Sequence, residues 1–95
     1  MKESMKNEYD DVEVGTVFSF TRTISEEHVQ SFAELSGDFN PLHVDKEFGA
    51  KSKFGGNVVH GMLTASLFSK LMGMHCPGEK CLYLSQNIQF KKPMF

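Results

Sequence analysis

An aspartate and a histidine stand five residues apart in the segment SGDFNPLHVD, as Asp38 and His43. Pro41 fixes its own φ and restricts Asn40 to extended geometry, so a stiff turn connects the two side chains. A carboxylate and an imidazole carried by such a turn can hold a water or a substrate proton between them, as general acid–base chemistry requires. The same Gly-Asp-x-Asn-Pro pattern is also ordinary turn chemistry, in which Asn40 bonds the local backbone, so a purely structural role stays open.

A second group of candidate residues lies at the start of an apolar stretch, where His60 precedes Gly61. The free N–H groups at a helix start, with the positive end of the helix dipole, can receive an oxyanion. Gly61 would let a substrate carbonyl approach the backbone closely, or it simply begins a tightly packed helix. Ser66 and Ser69 follow within the stretch, and for Ser69 a hydrogen bond to the carbonyl four residues earlier is the simpler interpretation.

The chain that leads into the Asp38 turn is predicted to be a short amphipathic helix over Glu26–Ser36. Ser25 suits its N-cap and Gly37 suits its C-cap. Val29, Phe32 and Ala33 follow helical spacing, and Leu35 lies beside them in the sequence. The residues from Asp38 to Asn57 are predicted to form an ordered loop, because proline and a Gly-Gly-Asn cluster indicate turns.

Two other segments alternate apolar and polar residues with a period of two, from Val12 to Ile24 and from Cys81 to Phe90. That period predicts two strands, and Pro93 weakens or ends the second. Between them a helix is predicted from Gly61 to His75, and because its apolar residues cover more than one face, we expect it to be buried. This order favours an α+β domain in which one sheet wraps a long central helix.

With 95 residues, the chain is at most one domain, and its 40% apolar and 23% charged residues are typical of a soluble globular protein. The net charge of −2 does not indicate the excess of basic residues that is typical of nucleic-acid-binding proteins. The sequence shows neither a membrane span nor a secretory signal. Nine phenylalanines and six methionines suit either a soft core or an acyl-binding slot. Cys76 and Cys81 do not fit a zinc site, because no second Cys or His pair lies at metal spacing. We expect two buried or half-buried free thiols in a reducing compartment, the cytoplasm.

The run SGDFNPLHVD followed by VVHGMLTASLFSKLMG is similar to the hydratase signature of the MaoC-like (R)-specific enoyl-CoA hydratase family, and YLSQNIQFKKPMF resembles the strand that follows it. The resemblance covers Val12 to Phe95. It implies a hot-dog fold, with an antiparallel sheet wrapped around the long central helix. Residues 12–95 would then be the N-terminal part of the hydratase domain, and residues 1–11 a frayed lead-in.

The same resemblance implies roles for individual residues. Asp38 and His43 match the catalytic pair, Gly61 matches the oxyanion-hole glycine, and Asn40 and Ser69 match supporting site residues. Family members add water to trans-2-enoyl thioesters of coenzyme A or a carrier protein, giving (R)-3-hydroxyacyl products, and the reverse dehydration follows from the same chemistry. They act in fatty acid metabolism without a metal or redox cofactor, coenzyme A being part of the substrate.

Two other functions remain open for this sequence. One is a non-catalytic acyl-thioester-binding or interaction module, and the other is a hot-dog acyl-CoA thioesterase. Family domains continue with further strands after the point matching Phe95, so we expect an incomplete sheet with an unpaired edge at the Cys81–Phe90 strand. The sequence therefore predicts a homodimer or higher homo-oligomer, or an aggregating chain, over an active monomer.

Overall fold

The computed structural model describes residues 12–95, so the predicted lead-in at 1–11 lies outside the described residues. Four α-helices follow in order: α1 (Glu26–Ser36), α2 (Pro41–Val44), α3 (Lys46–Lys51) and α4 (Gly61–Lys70), with a π-helical segment at Leu71–His75. The chain divides into two compact units. Of the described residues, one unit comprises 12–22 and Ala65–Asn87, and the other Thr23–Thr64 and Ile88–Phe95.

Helix α1 has the bounds that the sequence predicts, because side chains fix both of its ends. Ser25 Oγ accepts from the His28 N–H at 3.3 Å, and His28 Nδ1 accepts from the Ser25 N–H at 2.9 Å. This is a capping box in which histidine takes the place usually held by glutamate or glutamine. Gly37 ends the helix at φ 82°, where a glycine avoids the strain of a side chain.

The prediction of a loop from Asp38 to Asn57 is wrong, since that stretch contains two short helices. The Asn40 side chain accepts from the Leu42 N–H at 3.0 Å and caps α2, while Pro41 supplies a φ suited to its first turn. The Asp45 side chain accepts from the Phe48 N–H at 3.1 Å and caps α3. The same turn-favouring residues therefore act as helix caps.

The Asn57 side chain binds the junction between these two short helices. Its Nδ2 donates to the carbonyls of Leu42 at 3.0 Å and Asp45 at 2.8 Å, and the next residue, Val58, donates its N–H to Leu42 at 3.2 Å. Gly49 of α3 is packed so tightly there that an added Cβ would lie 2.5 Å from Asn57 Nδ2. The segment that carries His43 is thus bound to the residues just before α4.

The predicted helix from Gly61 to His75 is confirmed as α4 and its π-helical continuation. The expectation that it is buried is wrong, because Ala65 is its one buried residue, while Met62 is 63% and Phe68 is 48% exposed. Apolar faces are buried only when another element covers them, and no strand is assigned within residues 12–95 to do so. No helix in this described part is long and apolar enough to cross a membrane.

Neither of the two predicted strands, at 12–24 and 81–90, is assigned in the structure. Alternation makes a segment suitable for a sheet, but hydrogen bonds to a neighbouring strand are what make it one. Leu82 and Leu84 are 82% and 87% exposed, so the predicted apolar face of the second segment is uncovered. The wrapped sheet therefore stays a prediction. Cys76 and Cys81, in the same unit, are free and half-buried, as expected.

Candidate active site

Two of the residues singled out by sequence, Asp38 and His43, come together in the second compact unit, and His60 joins them. One ligand-capable atom from each of these three side chains lies within 4.8 Å of the others. Asp38 follows the end of α1, His43 lies in α2, and His60 immediately precedes α4. The cluster therefore depends on the relative positions of the end of α1, helix α2 and the start of α4. It combines a carboxylate with two imidazoles.

The His43 ring is held by one of its nitrogens, which leaves the other available. Nδ1 lies 2.6 Å from the Val58 carbonyl oxygen, and because a carbonyl only accepts, Nδ1 must carry the proton. In the neutral ring Nε2 then holds a lone pair. This is the arrangement that an imidazole acting as a base or a hydrogen-bond acceptor at Nε2 requires.

Asp38 is exposed, and its surroundings hold the turn in shape. Its Oδ1 accepts from the Asn40 N–H at 3.1 Å, and its own N–H donates to Ser36 Oγ at 3.1 Å. Asn40, predicted to support the site, acts by capping α2 and so fixes the helix that carries His43. The local backbone bond that the sequence suggested for Asn40 is confirmed.

His60 is the residue whose environment the sequence analysis missed. It is only 2% exposed, and its Nε2 lies 2.9 Å from the Asp38 carbonyl oxygen. Its ring centroid lies 4.0 Å from that of His43 and 4.9 Å from that of Phe32. The available signal was a histidine next to two valines at the start of an apolar helix, where a buried imidazole needs a specific partner.

A cavity of about 440 Å³ opens beside His43, and Gly61 lines the same cavity. Most of the cavity surface is apolar, and the remaining lining residues are Phe54, Val58, Val59, Thr64, Phe90, Lys91, Lys92, Pro93 and Met94. A larger cavity, about 640 Å³, shares His43 but not Gly61. The smaller cavity is the better candidate for a reactive site, because it brings an imidazole and a helix start to one apolar space.

Gly61 is the first residue of α4, so its N–H has no acceptor within the helix. A Cβ added there would lie 3.2 Å from the Phe90 ring, which is tighter than ordinary contact. The structure therefore packs an aromatic ring of the cavity wall close to Gly61, and the approach of a substrate carbonyl to this glycine stays a prediction. Ser69, the other predicted supporting residue, is exposed on α4 and belongs to the other compact unit.

The cluster also has the residue types of a transition-metal site, since imidazole nitrogens and a carboxylate oxygen are common ligands. Within the described chain, Asp38, His43 and His60 are the residues that could hold such an ion. The expectation of a metal-free site therefore stays a prediction.

The chain was compared with protein families, with curated proteins and with solved structures. The family described as MaoC like domain matches residues 10–95. The chain belongs to the MaoC-like family. An (R)-specific enoyl-CoA hydratase of Aeromonas caviae is 46% identical to it over 84 residues, which are 88% of this chain and 63% of that protein. A mitochondrial 3-hydroxyacyl-[acyl-carrier-protein] dehydratase of Arabidopsis thaliana is 40% identical over 84 residues, 88% of this chain and 49% of that protein.

A solved structure matches this MaoC-like chain as well. The unliganded R-hydratase of Pseudomonas aeruginosa has a TM-score of 0.85 at 38% identity, over 90% of this chain and 55% of that one. The two therefore share their fold over that length. The MaoC-like chain spans roughly half to two thirds of the length of these relatives, at 63%, 49% and 55%.

Proposed function

We propose that this MaoC-like chain carries the acid–base part of an (R)-specific enoyl-thioester hydratase, a hydro-lyase that converts trans-2-enoyl-CoA to (R)-3-hydroxyacyl-CoA and back. The observation that carries the proposal is that His43 and Gly61 line one apolar cavity, with Asp38 part of the cluster around His43. The names of the relatives, hydratases and dehydratases of 3-hydroxyacyl thioesters, agree with that chemistry.

The proposed reaction begins with the enoyl thioester in the smaller cavity, its carbonyl oxygen accepting from the Gly61 N–H. That hydrogen bond polarises the conjugated system and makes C3 electrophilic. A water held by Asp38 and His43 adds its oxygen to C3, one group of the pair takes the water proton, and the pair returns a proton to C2. An ionised Asp38 with protonated His43 and a protonated Asp38 with neutral His43 hold the same number of protons, so both assignments stay open.

The other parts of the site complete the proposal. Asn40 supports the pair by capping α2. The supporting role of Ser69 is proposed from the family resemblance alone. We propose that the reaction uses no resident metal or redox cofactor, since water addition to a polarised enoyl group needs only proton transfer and an oxyanion site. Coenzyme A, or the prosthetic arm of a carrier protein, enters as part of the substrate. A cytoplasmic location would suit the two free thiols.

One assay with crotonyl-CoA tests the function. We expect the enoyl absorbance to fall when the chain is added, and chiral analysis of the product to give the (R)-3-hydroxyacyl thioester. Release of free coenzyme A would instead identify a thioesterase, and binding without turnover would identify a thioester-binding module. The (S)-product would contradict the stereochemical part of the proposal.

We also propose the hot-dog sheet and a homo-oligomer, for which exposed apolar side chains are the support. Leu82 and Leu84 stand almost fully exposed on a segment with strand-like alternation, and such segments pair with other chains. Size-exclusion chromatography with light scattering is expected to give a mass at least twice 10.7 kDa. Leu82→Ser with Leu84→Ser should shift the chain toward the monomer, whereas Asn87→Ser, at an exposed polar position, should not. A monomeric unsubstituted chain would refute the assembly.

A further inference from the structure

We infer that His60 is a positioning residue that fixes the two halves of the acid–base pair relative to each other. The inference rests on the proposed function in one respect: Asp38 and His43 must be the reacting pair for the position of each to matter to catalysis. The contacts that support it are independent of that function. They consist of one hydrogen bond to the backbone of Asp38 and one ring contact with His43.

The hydrogen bond ties Asp38 to a residue 22 positions away in the sequence. Two other hydrogen bonds of Asp38, with Ser36 Oγ and with the Asn40 N–H, connect residues only two positions apart in the sequence. Those bonds shape the turn but leave its placement against the rest of the unit undetermined. The bond from His60 Nε2 to the Asp38 carbonyl supplies that placement, from a side chain that is 2% exposed and held by its surroundings.

The ring contact acts on the other half of the pair. The His43 ring is fixed at Nδ1 by the Val58 carbonyl, but one hydrogen bond leaves the ring free to tilt about that bond. The His60 ring lies against it with centroids 4.0 Å apart and planes 30° apart, which restricts the tilt and so the direction of Nε2. Phe32, at 4.9 Å, supports His60 in turn. Both reacting groups thus depend on one buried imidazole.

The bonding pattern also predicts which tautomer His60 adopts. A carbonyl accepts only, so Nε2 carries the proton that it shares with Asp38. Nδ1 is buried and has no hydrogen-bond partner, so the neutral ring keeps a lone pair there. His60 is buried and, like Asp38, lines neither of the two cavities, so its role is argued from its contacts with the pair.

Three substitutions at His60 distinguish positioning from packing. His60→Phe keeps an aromatic ring against His43 but removes the donor to Asp38. His60→Gln places an amide nitrogen near the position of Nε2, so it can restore that donor, whereas the shorter side chain in His60→Asn places the nitrogen near Nδ1. A packing role would be served best by phenylalanine, and a positioning role by glutamine.

In the crotonyl-CoA assay we expect kcat to fall about 10- to 100-fold in His60→Phe and His60→Asn, in line with the loss caused by misplacing a reacting group. KM should change much less, because His60 does not line the cavity. His60→Gln should recover part of kcat relative to His60→Asn, because it restores the bond to Asp38 but not the ring contact with His43. Near-normal kcat in folded His60→Phe, or equal losses in the glutamine and asparagine variants, would overturn the inference.

A second measurement decides the question even if the chain hydrates nothing. Long-range ¹H–¹⁵N correlation spectra of the unsubstituted chain should show His60 as the Nε2–H tautomer. The amide signal of Asn40 should move in His60→Asn and return toward its original position in His60→Gln, which restores the bond to Asp38. The ring signals of His43 should move in both variants, because neither amide replaces the His60 ring. A Nδ1–H tautomer, or signals of His43 and Asn40 that are the same in all variants, would overturn the inference. Absent hydration with these NMR results would reject the proposed function alone.

Discussion

Asp38→Asn and His43→Gln are each expected to lower kcat for hydration of crotonyl-CoA by at least about 10²-fold, the usual contribution of a general acid or base. Each change removes a group that exchanges a proton with water or with C2. Asparagine keeps an oxygen that can accept from the Asn40 N–H, so the turn should survive. The measurement is kcat from initial rates, with circular dichroism to check the fold.

Two further variants make the result specific. Glu47→Gln removes an exposed carboxylate of α3 that pairs with Lys51 at 2.9 Å, and it should leave kcat nearly unchanged. His43→Asn keeps a donor near Nδ1 for the Val58 carbonyl, so it separates loss of the proton carrier from loss of that bond. A near-normal rate in a folded Asp38→Asn or His43→Gln variant would end the assignment of the pair.

Gly61→Ala is expected to reduce kcat/KM by a comparable or larger amount. Loss of one oxyanion donor removes about 2.7–4 kcal/mol of transition-state stabilisation, which corresponds to roughly 10²–10³-fold. The added methyl would occupy the space through which the thioester carbonyl approaches the N–H. Alanine is well tolerated in helices, so α4 itself should persist. Steady-state kinetics with crotonyl-CoA give the size of the effect.

The Phe90 ring complicates this substitution and also provides its control. Because the new Cβ would lie 3.2 Å from that ring, some loss could come from displacement of the ring. Phe90→Leu removes the ring, so kcat/KM of Gly61→Ala is also compared in that background, as a double-mutant cycle. A loss that persists there supports the oxyanion role. Full recovery, or no loss at all in Gly61→Ala, would mean that Gly61 serves only packing.

The elements that the sequence predicted well are those with local signals. Helix α1 was bounded correctly because Ser25 and Gly37 cap it within the same segment. The helix that begins at Gly61 was likewise found from the composition of its own segment, which is rich in apolar residues. For the site, the five-residue spacing of Asp38 and His43 was enough to predict that the two side chains lie close together, although His43 lies in α2 and not in a turn.

What the sequence did not predict depends on contacts between distant residues. His60 reaches Asp38 across 22 residues, and nothing near His60 in the sequence indicates that partner. Helices α2 and α3 are too short for periodicity to detect, and their caps resemble turn residues. The exposure of α4 depends on whether strands cover it, which alternation at 12–24 and 81–90 could not decide.

The bonds that Leu42 accepts from Asn57 and Val58 form the neck of a loop that runs from α2 to the start of α4. When hydrogen bonds hold the two ends of a flexible loop together, each doubling of the loop length costs only roughly 0.6 kcal/mol of closure entropy. His43 lies at the neck, whereas Phe54, which lines the smaller cavity, lies between the end of α3 and the neck. Substitutions around Phe54 can therefore reshape the smaller cavity while the bonds of Leu42 and Val58 keep His43 in place.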